Sequence, residues 1–425
     1  MKTYRNIALL ALALLAPAST FAIPAWSRQA GASCNACHAT PTWQLNTTGL
    51  KFLSAGHRAE PFQMPEEVDW KHYLSLIWKG RAWYEDLDSN RTGNANTQKP
   101  TTNLEQHSFA LYTGGPIAER FSYFTEIYLS ENTGATSGSN IVQGEAARKK
   151  LAEAFLQYNH PLSEDQQTYL AVRAGEILPA IIHVFGVGAR SAEQRSVPMN
   201  EALAGNSNTY RPFSRQQGLD AAIVGAHYEV TVGLVNGSDT STTNSIDADS
   251  HKDLYFSALY NFDEYESGVG VFYYDGKFSN YTTKQDFSTA LLYKNDFYRT
   301  AVLGRFVREN WRLVGAYLMG EETINATGAK ADNRGFYALA DYNFNDRHGV
   351  YVRYDYLDPN TDLDRNEVSM LLVGYNTLFF QSENAAVRFG IEYTNKVSYQ
   401  GGNISTAGTT KFSDNRLTAQ LTWAF

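Results

Sequence analysis

Leu417-Thr418-Ala419-Gln420-Leu421-Thr422-Trp423-Ala424-Phe425 ends the chain with apolar side chains at Leu417, Ala419, Leu421, Trp423 and Phe425 and mostly polar ones between them. A period of two is that of a β-strand with one face in an apolar medium and the other in a polar one. The device recurs at Phe121 to Ser130, Asp253 to Phe262, Gly268 to Tyr274 and Val350 to Tyr356. From about Lys71 onward it fills the chain in segments of roughly ten residues, each ending in turn residues, which is the cumulative signature of a transmembrane β-barrel.

The connections test that reading, because an outer-membrane barrel alternates short periplasmic turns with longer external loops. A first strand near Tyr73 to Tyr84 precedes a polar loop from Glu85 to Asn103, a Gly-Gly-Pro turn at 114–116, and a Gly/Ser/Thr-rich loop from Asn132 to Gly144. Turns follow at His160-Pro161, His227-Tyr228, Asp263 to Tyr265, Asn345-Asp346 and Gln381 to Asn384. They alternate with loops at Leu178 to Arg215, Asn236 to Ser250, Asp275 to Gln285, 321–334, 358–366 and 397–413. Asp296 to Asn310 reads as an extra strand, for a total of about 17. As a periplasmic turn with a helical piece it leaves about 16 and puts both termini in the periplasm, as single-chain bacterial barrels require, so 16 is expected. A soluble sandwich or propeller also has short alternating strands, but no linker or blade repeat is visible. The terminal phenylalanine likewise resembles the assembly signal of outer-membrane barrels. The expected fold class is all-β, with a small α-helical head ahead of the barrel.

Composition agrees. The 425 residues include 27 Tyr, 23 Phe, 7 Trp and 32 Gly but only 5 Met and 2 Cys, an excess of strand-forming aromatics. The net charge of −8 argues against a nucleic-acid partner. At the other end, Lys2 and Arg5, the apolar run Ile7 to Leu15 and Thr20-Phe21-Ala22 have the layout of a secretory signal peptide, 1–22, with the mature chain beginning at Ile23. The run is too short for a spanning helix.

Both cysteines fall in Cys34-Asn35-Ala36-Cys37-His38, the C-x-x-C-H pattern of covalent haem c attachment. Two thiols add across the haem vinyl groups, and the adjacent histidine is held under the iron as its first axial ligand. The competing readings are a Cys34–Cys37 disulfide and half of a zinc site. The residues divide into a monohaem head at 23–70 and a porin-like barrel at 71–425.

Within the head, Gln44 to Gly56 reads as one helix with Leu45, Phe52 and Leu53 on one face and Gly56 as its stop. His57, Met64 and His72 lie within reach as sixth iron ligand. His57 and Met64 are the candidates beside His38, and His72 goes with the first strand. So small a head cannot bury a haem alone, whereas a 16-stranded barrel leaves an aqueous channel that can take it as a plug, inside the pore or at its periplasmic mouth. The apolar run Ile181 to Val187 in the longest loop suits folding into the lumen against that plug. His107, His160, His183, His227, His251 and His348 show no further metal spacing and read as lumen, turn or loop residues. Acidic groups at Glu85-Asp86 with Asp88, Asp247 with Asp249, Glu321-Glu322, and Asp358, Asp362 and Asp364 read as solvated loop charge, with hard-cation attraction as the sharper alternative.

Ala22 to Cys34 resembles the lead of the fused outer-membrane cytochrome-porin iron oxidases, A-x-P-x-aromatic-small-R-Q-x-G-x-x-C, and Leu45, Gly49 and Phe52 fit the L-x-x-x-G-x-x-F that follows in that family. The motif match covers about residues 22 to 57. It departs at Pro41, at Asn46 and Thr48, and at Gly56-His57, where relatives often have Gly-Tyr. The resemblance implies one haem c that takes electrons from extracellular Fe(II) and passes them to a periplasmic c-type cytochrome or other carrier. The reaction would be an Fe(II):cytochrome c oxidoreductase step by outer-sphere transfer, without a catalytic side chain, in a protein embedded in outer-membrane lipid. The alternatives are a solute porin with a haem plug or redox sensor, and electron export to an external acceptor.

Overall fold

In the computed structural model the described residues are 24–64, 69–88, 100–131, 151–185, 190–201, 203, 208–237, 251–262, 266–281, 291–324, 328–382 and 384–425. The expected signal peptide, the loop at 132–144, and Asp247 with Asp249 lie outside them.

Sixteen antiparallel strands close into one barrel. A two-residue pair, β1 (His38–Ala39) and β2 (Gln44–Leu45), precedes them in the head. The barrel strands are β3 (Leu74–Asp86), β4 (Thr101–Ala118), β5 (Phe121–Glu131), β6 (Leu151–Pro161), β7 (Tyr169–Ile177), β8 (Gln216–Val224), β9 (Tyr228–Val235) and β10 (Asp253–Asn261). They continue with β11 (Gly268–Tyr281), β12 (Leu291–Arg308), β13 (Trp311–Thr323), β14 (Lys330–Asn345), β15 (His348–Asp358), β16 (Val368–Gln381), β17 (Ala386–Tyr399) and β18 (Lys411–Ala424). β18 pairs with β3, with Trp423 opposite Trp78 and Leu417 opposite Tyr84, so the barrel has no free edge. The terminal strand β18 is therefore the seam.

The alternation puts Val230, Val232 and Leu234 outside on β9 and Glu229, Thr231 and Val235 inside. The exposed apolar residues form a belt around the whole barrel, with Trp311 against Tyr342, Tyr260 against Phe262 and Phe379 against Phe389 near the tight turns. An apolar belt with aromatic rings at its rim is the surface a bilayer requires. The inner wall carries buried charge in pairs, among them Arg173 with Asp220, Arg299 with Glu322 and Arg353 with Asp355. Among the described residues no helix is long and apolar enough to cross a membrane.

Two strand assignments change. Asp296 to Asn310 is neither an extra strand nor a helical turn. It is most of β12, one 18-residue strand, followed by a tight turn at Glu309 and Asn310, where Glu309 has φ +53°. Gly114-Gly115-Pro116 is not a turn either, since β4 runs on to Ala118. A Cβ on Gly115 would lie 2.7 Å from Gln29 Nε2 and 2.9 Å from Tyr73, so these glycines mark the close approach of the head.

The head lies across the end of the lumen that carries the tight turns. Helix α1 (Pro24–Ala30) is tied to β3 and β4 by Ala25 N to Ser75 Oγ at 3.0 Å and Trp26 Nε1 to the Gly114 carbonyl at 3.2 Å. Helix α2 (Thr47–Ser54) meets the opposite wall, where the Ser54 hydroxyl donates to Glu229 at 2.7 Å. Arg58, 1% exposed, donates to the carbonyls of Glu119 at 2.7 Å, Ala118 at 3.2 Å and Phe121 at 2.5 Å, clamping the head to the β4–β5 turn. Helix α2 is shorter than the sequence suggested. Asn46 caps it, and Gln44 and Leu45 are drawn into the β1–β2 pair.

From the other side the β7–β8 loop folds into the lumen, as its apolar run suggested. Its helix α3 (Ala180–Val184) and Phe185 pack with Phe124, Phe155, Phe272 and Tyr337 on the inner wall. Farther along, Glu193 N donates to Glu392 at 2.9 Å, Arg353 donates to the Gln194 carbonyl at 2.7 Å, and Val197 N, opening helix α4 (Val197–Asn200), donates to Asp355 at 3.0 Å.

Candidate functional site

Between the head and this loop lies a chamber. Its unfilled space, counting the part open to the lumen, is about 1680 Å³. Cys34, Cys37, His38 and His57 all line it.

The local chain explains how these residues are held. Cys34–Ala36 form one 3-10 turn, and Asn46 grips it by donating to the carbonyls of Asn35 and Ala36, both at 3.1 Å. The Asn46 side chain also accepts from Gly49 N at 3.1 Å, capping α2 on the same loop. A Cβ on Gly49 would stand 2.2 Å from the Cys37 carbonyl oxygen, so only glycine lets the helix rest there. At its far end α2 stops in a Schellman arrangement, with Gly56 N to Leu53 O at 3.1 Å and His57 N to Phe52 O at 2.9 Å. Gly56 takes φ +85° and His57 φ +60°, turning the imidazole back toward the chamber. There it stacks on Phe124 at 4.3 Å and meets Trp26 at 4.8 Å.

His38 Nδ1 donates to the Trp43 carbonyl oxygen at 2.9 Å, which puts the lone pair on Nε2. Burial lowers the His38 pKa to about 4 and that of His57 to about 3, so both rings are neutral and able to ligate. His57 Nδ1 is buried with no hydrogen-bond partner. Burial pushes the Cys34 thiol up to about 12 and Cys37 up to about 11, the reverse of the lowered values that activate a redox C-x-x-C pair. Among the described residues no three His, Cys, Asp or Glu side chains converge to hold a metal ion alone, which leaves half a zinc site without its other half. The donor set fits a covalent haem: two thiols, an imidazole with its Nε2 free, a second neutral imidazole, and a wall of Trp26, Trp43, Leu45, Phe52, Phe124 and Phe155.

Met64 does not line the chamber. It follows Phe62 and Gln63, which border a separate surface hollow at the tight turns with Glu119 and Asp165. His72 ends the 3-10 turn Trp70–His72, next to the barrel strands, as expected. His183, read from sequence only as a lumen, turn or loop residue, lines the chamber and lies 3.3 Å from Glu153; the chamber's cations were not singled out in the sequence. Arg190 and Arg195, beside an apolar run too apolar for an exposed loop, were the available signal. Several acidic residues read as solvated loop charge belong to the wall: Glu85 is 1% exposed, Glu322 pairs with Arg299, and Asp358 pairs with Arg334 at 3.2 Å.

No protein-family model matches the chain. No curated protein matches it either. Solved structures do. An anion-selective porin from Comamonas acidovorans superimposes with a TM-score of 0.54 at 12% identity, covering 83% of this chain and 98% of its own. The outer membrane channel DcaP of Acinetobacter baumannii gives 0.54 at 12%, with 83% and 96% covered. Salmonella typhi OmpF, in complex with daunomycin, gives 0.50 at 17%, with 83% and 97% covered. At these identities the likeness is one of fold. With the closed barrel and its apolar belt, it makes the chain a bacterial outer-membrane β-barrel of porin-like fold.

Proposed function

We propose that this chain conducts electrons across the outer membrane, from an extracellular donor to a periplasmic carrier such as a c-type cytochrome, using one haem c held by Cys34, Cys37 and His38. Fe(II) is the donor that the head's resemblance to the cytochrome-porin iron oxidases implies. The observation that carries the reading is the meeting of Cys34, Cys37, His38 and His57 on one chamber inside the lumen.

Bound there, the haem would supply one-electron iron chemistry by outer-sphere transfer, so no bond-making side chain is required. The chain's part is to hold and insulate. Trp43 fixes the His38 tautomer through its carbonyl, and the resulting fixed orientation of that ring keeps Nε2 available. His57 is the candidate for the opposite axial position, because it shares the chamber and Met64 does not. The barrel wall excludes lipid, and the in-folded loop with the head restricts water.

A solute porin with a haem plug is the second reading, and the porin-like fold favours it. Against it, the head spans one end of the lumen and the β7–β8 loop bonds to the inner wall at Asp341, Asp355, Glu392 and Gln420. Two measurements test the proposal. A covalent haem should survive on a denaturing gel in the native protein and vanish in Cys34→Ala/Cys37→Ala; a native chain without it contradicts the proposal. Anaerobic Fe(II) added to the oxidised protein should then give the ferrous haem spectrum. A haem reduced by dithionite but not by Fe(II) would point instead to a sensor or to electron export.

A further inference from the structure

The two imidazoles on the chamber are held in different ways. His38 is anchored by a hydrogen bond, its Nδ1 donating to the Trp43 carbonyl at 2.9 Å, and an acceptor on the far nitrogen is the usual device that orients a ligating histidine. His57 lacks it. The residue is 4% exposed, and its Nδ1 is buried with no hydrogen-bond partner. With Nδ1 enclosed, Nε2 is the nitrogen left to face the chamber that His57 lines. Nothing accepts from Nδ1, so the plane of this ring is kept by packing.

Four rings supply that packing, and they act differently. Trp26 and Phe52 belong to the head: Trp26 is tilted by 34° at 4.8 Å, and Phe52 meets the imidazole edge-on at 6.1 Å and 87°. Phe124 and Phe155 belong to the barrel wall. Phe155 is tilted by 44° at 5.9 Å, whereas Phe124 lies face to face with His57 at 4.3 Å, the planes 7° apart. Rotation of the imidazole about its Cβ–Cγ bond would drive one edge into that face. Phe124 is itself confined. Gly114 is its partner on β4, where a Cβ would stand 3.2 Å from Phe124 Cδ2, and Phe155 is its partner on β6, with the rings 5.7 Å apart.

We propose that Phe124 is the positioning residue for His57, so that the barrel wall, and not the head that carries the attachment motif, sets the plane of the second axial imidazole. This rests on the haem reading above, with His57 as the sixth ligand. The two axial rings are then fixed from separate parts of the chain, His38 within the head by Trp43 and His57 across the head–barrel contact by Phe124. The ligand arrangement is complete only while the head is docked.

The test uses the haem-loaded full chain in detergent and reads the electron paramagnetic resonance of the ferric form, because the largest g value of a low-spin haem with two imidazole ligands depends on the angle between their planes. Phe124→Leu should shift or broaden that signal, and Phe124→Tyr, which keeps the ring, should restore the native one. Phe155→Leu removes a ring from the same wall cluster without touching the parallel stack and should leave the signal native. A native signal in Phe124→Leu, or the same change in Phe155→Leu, would overturn the assignment. If Phe124→Leu does not give a heat-modifiable barrel, Phe124→Met, closer in volume but without a ring, is read by the same two outcomes. A native chain with no covalent haem, or a loaded His57→Ala with the native signal, would instead sink the reading on which the proposal rests.

Discussion

His38 and Trp43 are locked together by two contacts: the imidazole Nδ1 donates to the Trp43 carbonyl at 2.9 Å, and the rings stack with centroids 4.9 Å apart and planes 17° from parallel. Trp43 reaches that position with φ +72°, a conformation uncommon for a non-glycine residue and one that collects at functional sites. The consequence is a histidine whose free nitrogen is fixed before any ligand arrives.

Gly49 is the hinge pin of the head. Gly49→Ala puts a methyl group 2.2 Å from the Cys37 carbonyl oxygen, which is backbone and cannot swing away. The expected cost is about 1–3 kcal/mol, with α2 forced off the Cys34–Ala36 turn. Denaturant titration followed by haem circular dichroism should show an earlier loss of the head signal, while the barrel persists on unheated gels.

The sixth ligand can be assigned by a pair of substitutions. His57→Ala should change the visible spectrum and axial signature of the haem, whereas Met64→Ala should leave both as in the native protein, because of these two residues His57 alone lines the chamber. Electron paramagnetic resonance of the oxidised protein reads the difference directly. A native signal in His57→Ala with an altered one in Met64→Ala would reverse the assignment.

Arg58 ties the plug to the barrel. Arg58→Ala removes charged donors from the carbonyls of Ala118, Glu119 and Phe121 and should weaken docking by about 2 kcal/mol or more. In planar bilayers the native protein should conduct poorly, and Arg58→Ala should show frequent openings. Steady high conductance of the native protein would favour the solute-porin reading.

Much of the barrel was legible because its signal is cumulative. Sixteen strands each repeat a period of two, and the turns and loops alternate in length, so one misplaced boundary leaves the total intact. The errors have local causes. Gly114-Gly115-Pro116 has turn composition, but its glycines answer to Gln29 and Tyr73, residues far away in sequence. Asp296 to Asn310 was split off because β12 is much longer than a segment of about ten residues, and the true break at Glu309-Asn310 is only a tight turn. At the site, the proposed haem attachment at Cys34, Cys37 and His38 comes from spacing alone, since covalent attachment would be local chemistry. That His57 lines the chamber and Met64 does not could not be read there, because it depends on how the chain runs past Arg58. Nor could the place of Arg190 and Arg195 on the chamber, which comes from a loop folding inward.

The most direct test of the account is electron transfer across a sealed membrane. Native protein would be reconstituted into lipid vesicles with a ferric c-type cytochrome trapped inside, and Fe(II) would be added outside under anaerobic conditions. The account predicts that the trapped cytochrome is reduced, and that vesicles carrying Cys34→Ala/Cys37→Ala show only the leak of protein-free vesicles. Equal reduction through the native protein and the cysteine variant, or none through either, would contradict it.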